Sequence, residues 1–324
     1  MSDDRDGLDA LLEFNRRRRN GIGATDAAKI LMLSKWGGPL SVYADKISED
    51  PPRPPSLPAW LGLKLQSTVG ELYTAATGTR LRAANVQSVH PEHPYIVCHL
   101  DFRAWGDSRL LVEAKTRASS KGWGPDGSTE VPIEEWVQVQ HELMVTGARE
   151  AHIAVLFGHR EFRVLNVQRD EPFIAALLPR EVAFWNDHVL ARIPPPAGGA
   201  DIDAVKDQHP AEKGPMRPAT PEQTAIVMEL VGARAARLLA EKAEKATVAR
   251  VLQVIGDAAG ISGSFGEITW TTNKPTMEHQ KVTQGYRNML VAAGVDEMLL
   301  DAVAANHIKP GSRTLRYRLN DEEE

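Results

Sequence analysis

Glu113 and Lys115 stand two residues apart in "LLVEAKT", residues 110–116, and Asp101 lies twelve positions before Glu113. The flanking Leu110, Leu111 and Val112 suit an interior strand. In an extended strand, residues two apart point to the same side. A carboxylate and an ammonium therefore share one face. If this strand pairs with "YIVCHLDF" through the turn "RAWGDS", Asp101 converges on Glu113 at one end of the sheet. Two carboxylates and a backbone carbonyl, such as that of Ala114, form a hard, oxygen-only site suited to Mg²⁺ or Mn²⁺. Lys115 beside them can orient an attacking water or stabilise charge developing on a phosphate. Taken alone, the same Glu–x–Lys triplet also reads as a half-exposed salt bridge on an edge strand.

The elements that must position these residues follow from pattern. The first 193 residues alternate helix and strand signals. "ATDAAKILML" is a helix opened by Thr25 or Asp26, and "LKLQSTVGELYTAATG" is a second one closed by Gly78. Strands are predicted in "RLRAANVQSV", "YIVCHLDF" and "LLVEAKT". The glycine-rich "SSKGWGPDGST" leads to the helix "PIEEWVQVQHELMVTG". "HIAVLFG" and "EFRVLNVQ" form a hairpin about Gly158 and His159, and a helix near Pro172–Asn186 follows. This order predicts an α/β domain, a mixed sheet with helices on its faces.

Residues 194–219 are rich in proline and glycine without an apolar period, and are expected to be an extended, flexible linker. Residues 220–324 are expected to form a small helical-plus-strand accessory domain. It opens with the capping box Thr220–Gln223 and Pro221 at the first helical position. The long helix ends near Gly256, and "FGEITWTT" and "RTLRYRL" flank a helix around Lys281–Ala293.

Composition excludes several classes. The 324 residues are 42% hydrophobic and 25% charged, enough for a buried core. The lone Cys98 excludes an intramolecular disulfide and a four-cysteine metal site. Apolar runs fall short of a membrane span, and the amino terminus lacks the pattern of a signal peptide, so the chain is expected inside the cell. Net charge −5 argues against a nucleic-acid-coated surface but leaves room for a local basic channel.

Asp101, Glu113 and Lys115 match the signature of PD-(D/E)XK nucleases. Further stretches occur in the order seen in one branch: "RRNGIGATDAAKIL", "GLKLQSTVGELYTAATG", "LVEAKT", "WVQVQHELMVTG" and "REFRVLNVQRDE". From about Phe14 to Val189 the chain resembles the lambda exonuclease/YqaJ-like family of viral recombination nucleases, and residues 1–193 are assigned to that domain. The resemblance implies a restriction-endonuclease-like fold and a Mg²⁺-dependent 5′→3′ exonuclease with two metals at its centre, leaving 3′ single strands on duplex DNA. Mn²⁺ is expected to substitute. It also implies a ring around DNA, a single-strand-annealing recombinase as partner, and a phage or prophage protein acting in a bacterial cytoplasm.

The same resemblance assigns residues. Asp101 and Glu113 match the metal carboxylates, Lys115 the catalytic lysine, and Gln138 a glutamine near the centre; without it, Gln138 reads as a polar residue on an exposed helix face. "RRRRNG" and Thr25 match the grip on a 5′-terminal phosphate, for which guanidinium, hydroxyl and helix-start N–H groups are chemically suited. Arg18 and Arg19 are not separable by sequence, and Thr25 also reads as an ordinary N-cap. One position departs: where the family carries a metal-organising glutamate, this chain has Gln66. That opens one alternative, a weakened or inactive DNA-end-binding protein; a structure-specific endonuclease on the same fold is a second, independent of Gln66. His99 reads as a packed or exposed histidine, His141 as a surface residue, and Trp105 and Trp123 as locally packed loop residues.

Overall fold

The structure is a computed structural model that describes residues 12–52, 54–84, 87–209, 214–264, 266–270 and 279–305. The chain divides into two compact units, Met1–Pro210 and Ala211–Glu324.

In the first unit, helix α1 covers residues 12–18 of the described chain. It is followed by α2 (Ala24–Ile30), α3 (Pro39–Ile47) and the 21-residue α4 (Leu57–Thr77). Helix α4 starts after Ser56 and stops at Gly78, whose φ of 73° is a left-handed helix cap that glycine adopts without strain. Strands β1 (Leu81–Ala83), β2 (Gln87–Val89), β3 (Val97–His99), β4 (Phe102–Ala104) and β5 (Asp107–Arg117) come next. Helix α5 (Ile133–Thr146), the hairpin β6 (Glu150–Phe157) and β7 (Glu161–Gln168), and α6 (Glu171–Phe184) complete the frame. A π-helical turn, Trp185–Leu190, continues α6.

The main sheet has the order β1-β4-β5-β6-β7. Its β5–β6 pair is parallel and the others antiparallel, as the expected mixed sheet requires. β5 is the middle strand, which corrects the edge-strand reading of the Glu–x–Lys pair. Two parallel neighbours need a crossover, and α5 supplies it. The crossover lays α5 across one face of the sheet, where Val137, Val139 and Leu143 join the largest apolar cluster. On the other face, Val69 and Tyr73 of α4 pack on Val112 and Ala154. A Cβ on Gly70 would stand 2.8 Å from the Phe102 ring, so glycine lets α4 approach β4 closely. β5 thus lies between two helices, and its alternate residues face one or the other.

The boundary expected at residue 193 is displaced. Residues Gly199–Asp201 form a 3₁₀ turn and Ile202–Gln208 a helix, α7, within the first unit. Asp201 is fully buried, and its carboxylate accepts from the N–H groups of Gly38 (2.8 Å), Ser41 (2.9 Å), Leu40 (3.3 Å) and Gly198 (2.9 Å). It caps the amino terminus of α3, which proline and glycine counting cannot reveal. Burial raises the Asp201 pKa, but these donors outweigh it and hold the carboxyl below its ordinary value. A fragment ending at Ile193 is therefore expected to be less stable than one ending at His209, by roughly 2–4 kcal/mol from the lost charged cap. Thermal melts of the two fragments measure this; equal midpoints would contradict the docking of residues 199–201.

The second unit contains α8 (Pro221–Ile255), the hairpin of β8 (Gly260–Gly263) and β9 (Gly266–Thr269), α9 (His279–Ala292) and α10 (Glu297–Ala305). The capping box is present: the Thr220 hydroxyl accepts from Gln223 N at 3.3 Å, and Gln223 Oε1 accepts from Thr220 N at 3.1 Å. "RTLRYRL" lies outside the described residues. Among the described residues, no helix is long and apolar enough to cross a membrane.

Candidate active site

The antiparallel register Phe102↔Val112 places Asp101 next to Glu113 across the β4–β5 turn. Asp101 lies just before β4, where the backbone ladder to β5 has ended. Its Oδ2 takes the N–H of Ala114 at 2.8 Å. An extended residue turns its N–H and C=O toward the same neighbour, so the Ala114 carbonyl leaves on the Asp101 side. From α4, Gln66 Nε2 donates to Asp101 Oδ1 at 2.6 Å. Gln66 lies seven residues before Tyr73, two helical turns along the face that packs on the sheet.

On the α5 side, Lys115 Nζ donates to Glu113 Oε1 at 2.8 Å and to Gln138 Oε1 at 2.8 Å. Gln138 Nε2 donates to the same Glu113 oxygen at 2.6 Å and to Glu142 Oε1 at 2.9 Å. Gln138 is buried rather than on an exposed face, because the crossover places α5 over β5. The predicted residues Gln66, Asp101, Glu113, Ala114, Lys115 and Gln138 therefore come together as two hydrogen-bonded sets, Gln66–Asp101–Ala114 and Glu113–Lys115–Gln138, that meet where Asp101 lies beside Glu113. Glu142 joins them and was missed by sequence reasoning. The available signal was its spacing, four residues after Gln138 and so on the same helix face.

Electrostatics mark the cluster as a functional-site candidate. Burial, and then the charge of Glu113, push the Asp101 carboxyl well above the usual carboxylate range. Burial and Glu113 do the same to Glu142. For Lys115, burial favours the neutral amine, but Glu113 and Glu135 outweigh it and raise the pKa above the ordinary lysine value. Two carboxylates held close enough to oppose each other's ionisation are a site that a cation relieves. Asp101, Glu113 and the Ala114 carbonyl present only hard oxygen donors, so the residues fit a divalent ion such as Mg²⁺.

The second predicted cluster is divided by the structure. Arg18 donates to Thr25 Oγ1 at 2.6 Å, so those two meet. Arg19 points elsewhere: it pairs with Asp45 at 3.3 Å and donates to the Ser48 carbonyl at 3.1 Å and to the Asp50 carbonyl. Thr25 is inside α2, whose N-cap is Gly23, so its N-cap reading is corrected. Asp26 is the residue that binds the N-cap, accepting from Gly23 N at 3.0 Å. Asp26 also pairs with the buried Lys46 at 2.7 Å, and Lys46 donates to the Arg18 carbonyl at 3.1 Å. Burial acts against the Asp26 charge, but Lys46 and Arg18 prevail and hold its pKa to about 2.

The remaining sequence readings have mixed outcomes. His141 is fully buried, with Nδ1 against Glu181 at 2.8 Å and Nε2 against the Val97 carbonyl at 2.9 Å, which corrects its surface reading. His99 packs edge-on against Phe14. Trp123 packs against Phe157, whereas Trp105 is 67% exposed.

Residues 13–149 match the family model of the YqaJ-like viral recombinase domain. Over 193 residues, 58% of this chain, the sequence is 34% identical to the uncharacterized protein YqaJ of Bacillus subtilis (strain 168). That match spans 59% of the relative's length. Among solved structures, the chain is similar to the alkaline exonuclease LHK-Exo from Laribacter hongkongensis, with a TM-score of 0.46 and 15% identity. The likeness covers 60% of this chain and 96% of that one. It is also similar to a phage-related exonuclease from Haemophilus somnus 129PT, with a TM-score of 0.41 and 11% identity, over 53% of this chain and 96% of that one.

Proposed function

We propose that this chain, whose residues 13–149 match the YqaJ-like viral recombinase domain, is a Mg²⁺-dependent 5′→3′ exonuclease. Its substrate is the end of duplex DNA, and its product a 3′ single strand for homologous recombination. The observation that carries this reading is the convergence of the half-buried Asp101 on the buried Glu113 and on Lys115 of the central strand. Asp101, Glu113 and the Ala114 carbonyl would hold the ion, which supplies Lewis acidity to the phosphate and to a water. Lys115, held by Glu113 and Gln138, keeps its proton and presents positive charge where the phosphorane develops its own negative charge. A ring around DNA, a single-strand-annealing partner and action in the cytoplasm of a phage host complete the proposal.

Cleavage of linear against covalently closed duplex, with Mg²⁺ and with EDTA, tests it. Digestion of the linear form alone, only with Mg²⁺, is expected. Cutting of the closed circle would indicate an endonuclease. A second reading, a DNA-end-binding protein that cuts slowly or not at all, is favoured by Gln66, an amide bonded to Asp101.

Arg18 and Thr25 are assigned to the 5′-phosphate. Arg18→Ala is expected to slow digestion of 5′-phosphorylated ends about tenfold or more, the scale of one lost charged contact. Its melting temperature should fall only slightly, because Lys46 still pairs with Asp26 when the Arg18 charge is gone. Arg19→Ala should do the reverse, lowering the melting temperature while keeping the preference for phosphorylated over hydroxyl ends. Paired rates on the two end types, with melts, check both; an end-preference defect in Arg19→Ala alone would reverse the assignment.

A further inference from the structure

Glu142 contributes nothing that a core position on α5 requires by packing alone. It is 1% exposed, in a helix whose neighbours Val139, Leu143 and Val145 fill apolar space. An apolar side chain would avoid the cost of burying a carboxyl group. What Glu142 does contact is the amide of Gln138, one helical turn earlier.

That amide has two orientations of nearly equal shape and opposite chemistry. In the structure, the carbonyl end accepts from Lys115 Nζ, and the amino end donates to both Glu113 and Glu142. Every polar atom of the side chain is used. Rotating the amide by half a turn would set its N–H groups against the Lys115 ammonium, which has only donors, and its oxygen against two carboxyl groups. Glu113 alone occupies one of the two N–H bonds. Glu142 occupies the other, one helical turn along α5.

We propose that Glu142 is a positioning residue for the centre. It fixes the orientation of the Gln138 amide, and through it the place of the Lys115 ammonium. The inference rests on reading the centre as a nuclease, and it adds a residue outside the metal carboxylates and the lysine. Glu142 acts through an acceptor oxygen, so glutamine replaces it and an apolar side chain of similar length does not.

The test uses the full chain and two variants, Glu142→Gln and Glu142→Met. On linear duplex with Mg²⁺ or Mn²⁺, Glu142→Met is expected to lose about tenfold or more in kcat with KM for DNA little changed, and Glu142→Gln to stay within about threefold. The loss should vanish in a Gln138→Ala background, since Glu142 then has no amide to orient. An equal loss in both backgrounds, or a Glu142→Gln variant as slow as Glu142→Met, would overturn the proposal. The contact also has a readout without turnover. In ¹⁵N–¹H correlation spectra, the Gln138 side-chain amide protons should shift and exchange faster in Glu142→Met, and return in Glu142→Gln. Superposable Gln138 signals in the unsubstituted and methionine forms would overturn it. Where the methionine variant does not fold, Glu142→Ser, too short to reach the amide, takes its place. A chain that cuts no linear duplex while showing the Gln138 shifts would refute the nuclease reading and leave the contact established.

Discussion

Asp101→Asn is expected to lower cleavage of linear duplex by about 10³-fold or more, while the metal-free protein melts at the same temperature or higher. The rate loss follows from removing one of two carboxylates that a divalent ion would bind; 10³-fold corresponds to about 4 kcal/mol of transition-state stabilisation. The stability result has a separate cause. Asp101 is half-buried beside Glu113, and the two oppose each other's charge. Asparagine removes that repulsion and keeps an acceptor for the Ala114 N–H, and its N–H₂ can donate to Gln66 once the Gln66 amide turns its oxygen inward. Glu113→Ala should stop cleavage equally but lower the melting temperature. Both Lys115 and Gln138 donate to Glu113 Oε1, and its loss costs each of them one of two hydrogen bonds, at about 1–3 kcal/mol in all. Rates and metal-free melts of the two variants check the pair. If both melt alike, the division of contacts around Glu113 is wrong.

Gln66→Glu is expected to act in the opposite direction on rate. The Gln66 amide donates to Asp101 at 2.6 Å, so a carboxylate there would add a third negative charge beside two that already repel. Without metal, the variant should melt lower than the unsubstituted chain. With Mg²⁺ it should melt higher, because a cation offsets three charges more fully than two. The Mg²⁺ concentration for half-maximal cleavage should fall about tenfold or more, the scale of a changed group next to a metal ligand. Mn²⁺, which binds oxygen sites more tightly, should narrow the gap between the two proteins. Melts over a Mg²⁺ series, with rates alongside, measure both effects. Unchanged metal dependence would mean that position 66 does not bear on the ion, despite its contact with Asp101.

Most of the centre was legible because period and turn chemistry are local signals. The alternation in "LLVEAKT", the hairpin through "RAWGDS" and the capped helices needed no tertiary information, and they brought Asp101 to Glu113. What was not legible came from the crossover and from long-range capping. Only the placement of α5 over the central strand buries Gln138 and Glu142, and nothing in their neighbours announces that. His141 was misread for the same reason: it lies beneath α6, against Glu181 and the Val97 carbonyl, contacts made across 40 and 44 residues. Asp201 was lost inside a segment whose prolines suggest a linker, because three of its four N–H partners are 160–163 positions away. Arg18 and Arg19 separated only when α3 supplied Asp45, Ser48 and the loop at Asp50 as partners for Arg19 alone.

The central claim is that the Asp101–Glu113–Lys115 centre removes nucleotides from the 5′ ends of duplex DNA with the help of a divalent ion. The most direct measurement follows a linear duplex labelled at the 5′ terminus of one strand, and in parallel at the 3′ terminus, in Mg²⁺. The account predicts early release of the 5′ label as a mononucleotide, late loss of the 3′ label, and neither in EDTA or in Asp101→Asn. Early release of the 3′ label, or release that persists in Asp101→Asn, would contradict it.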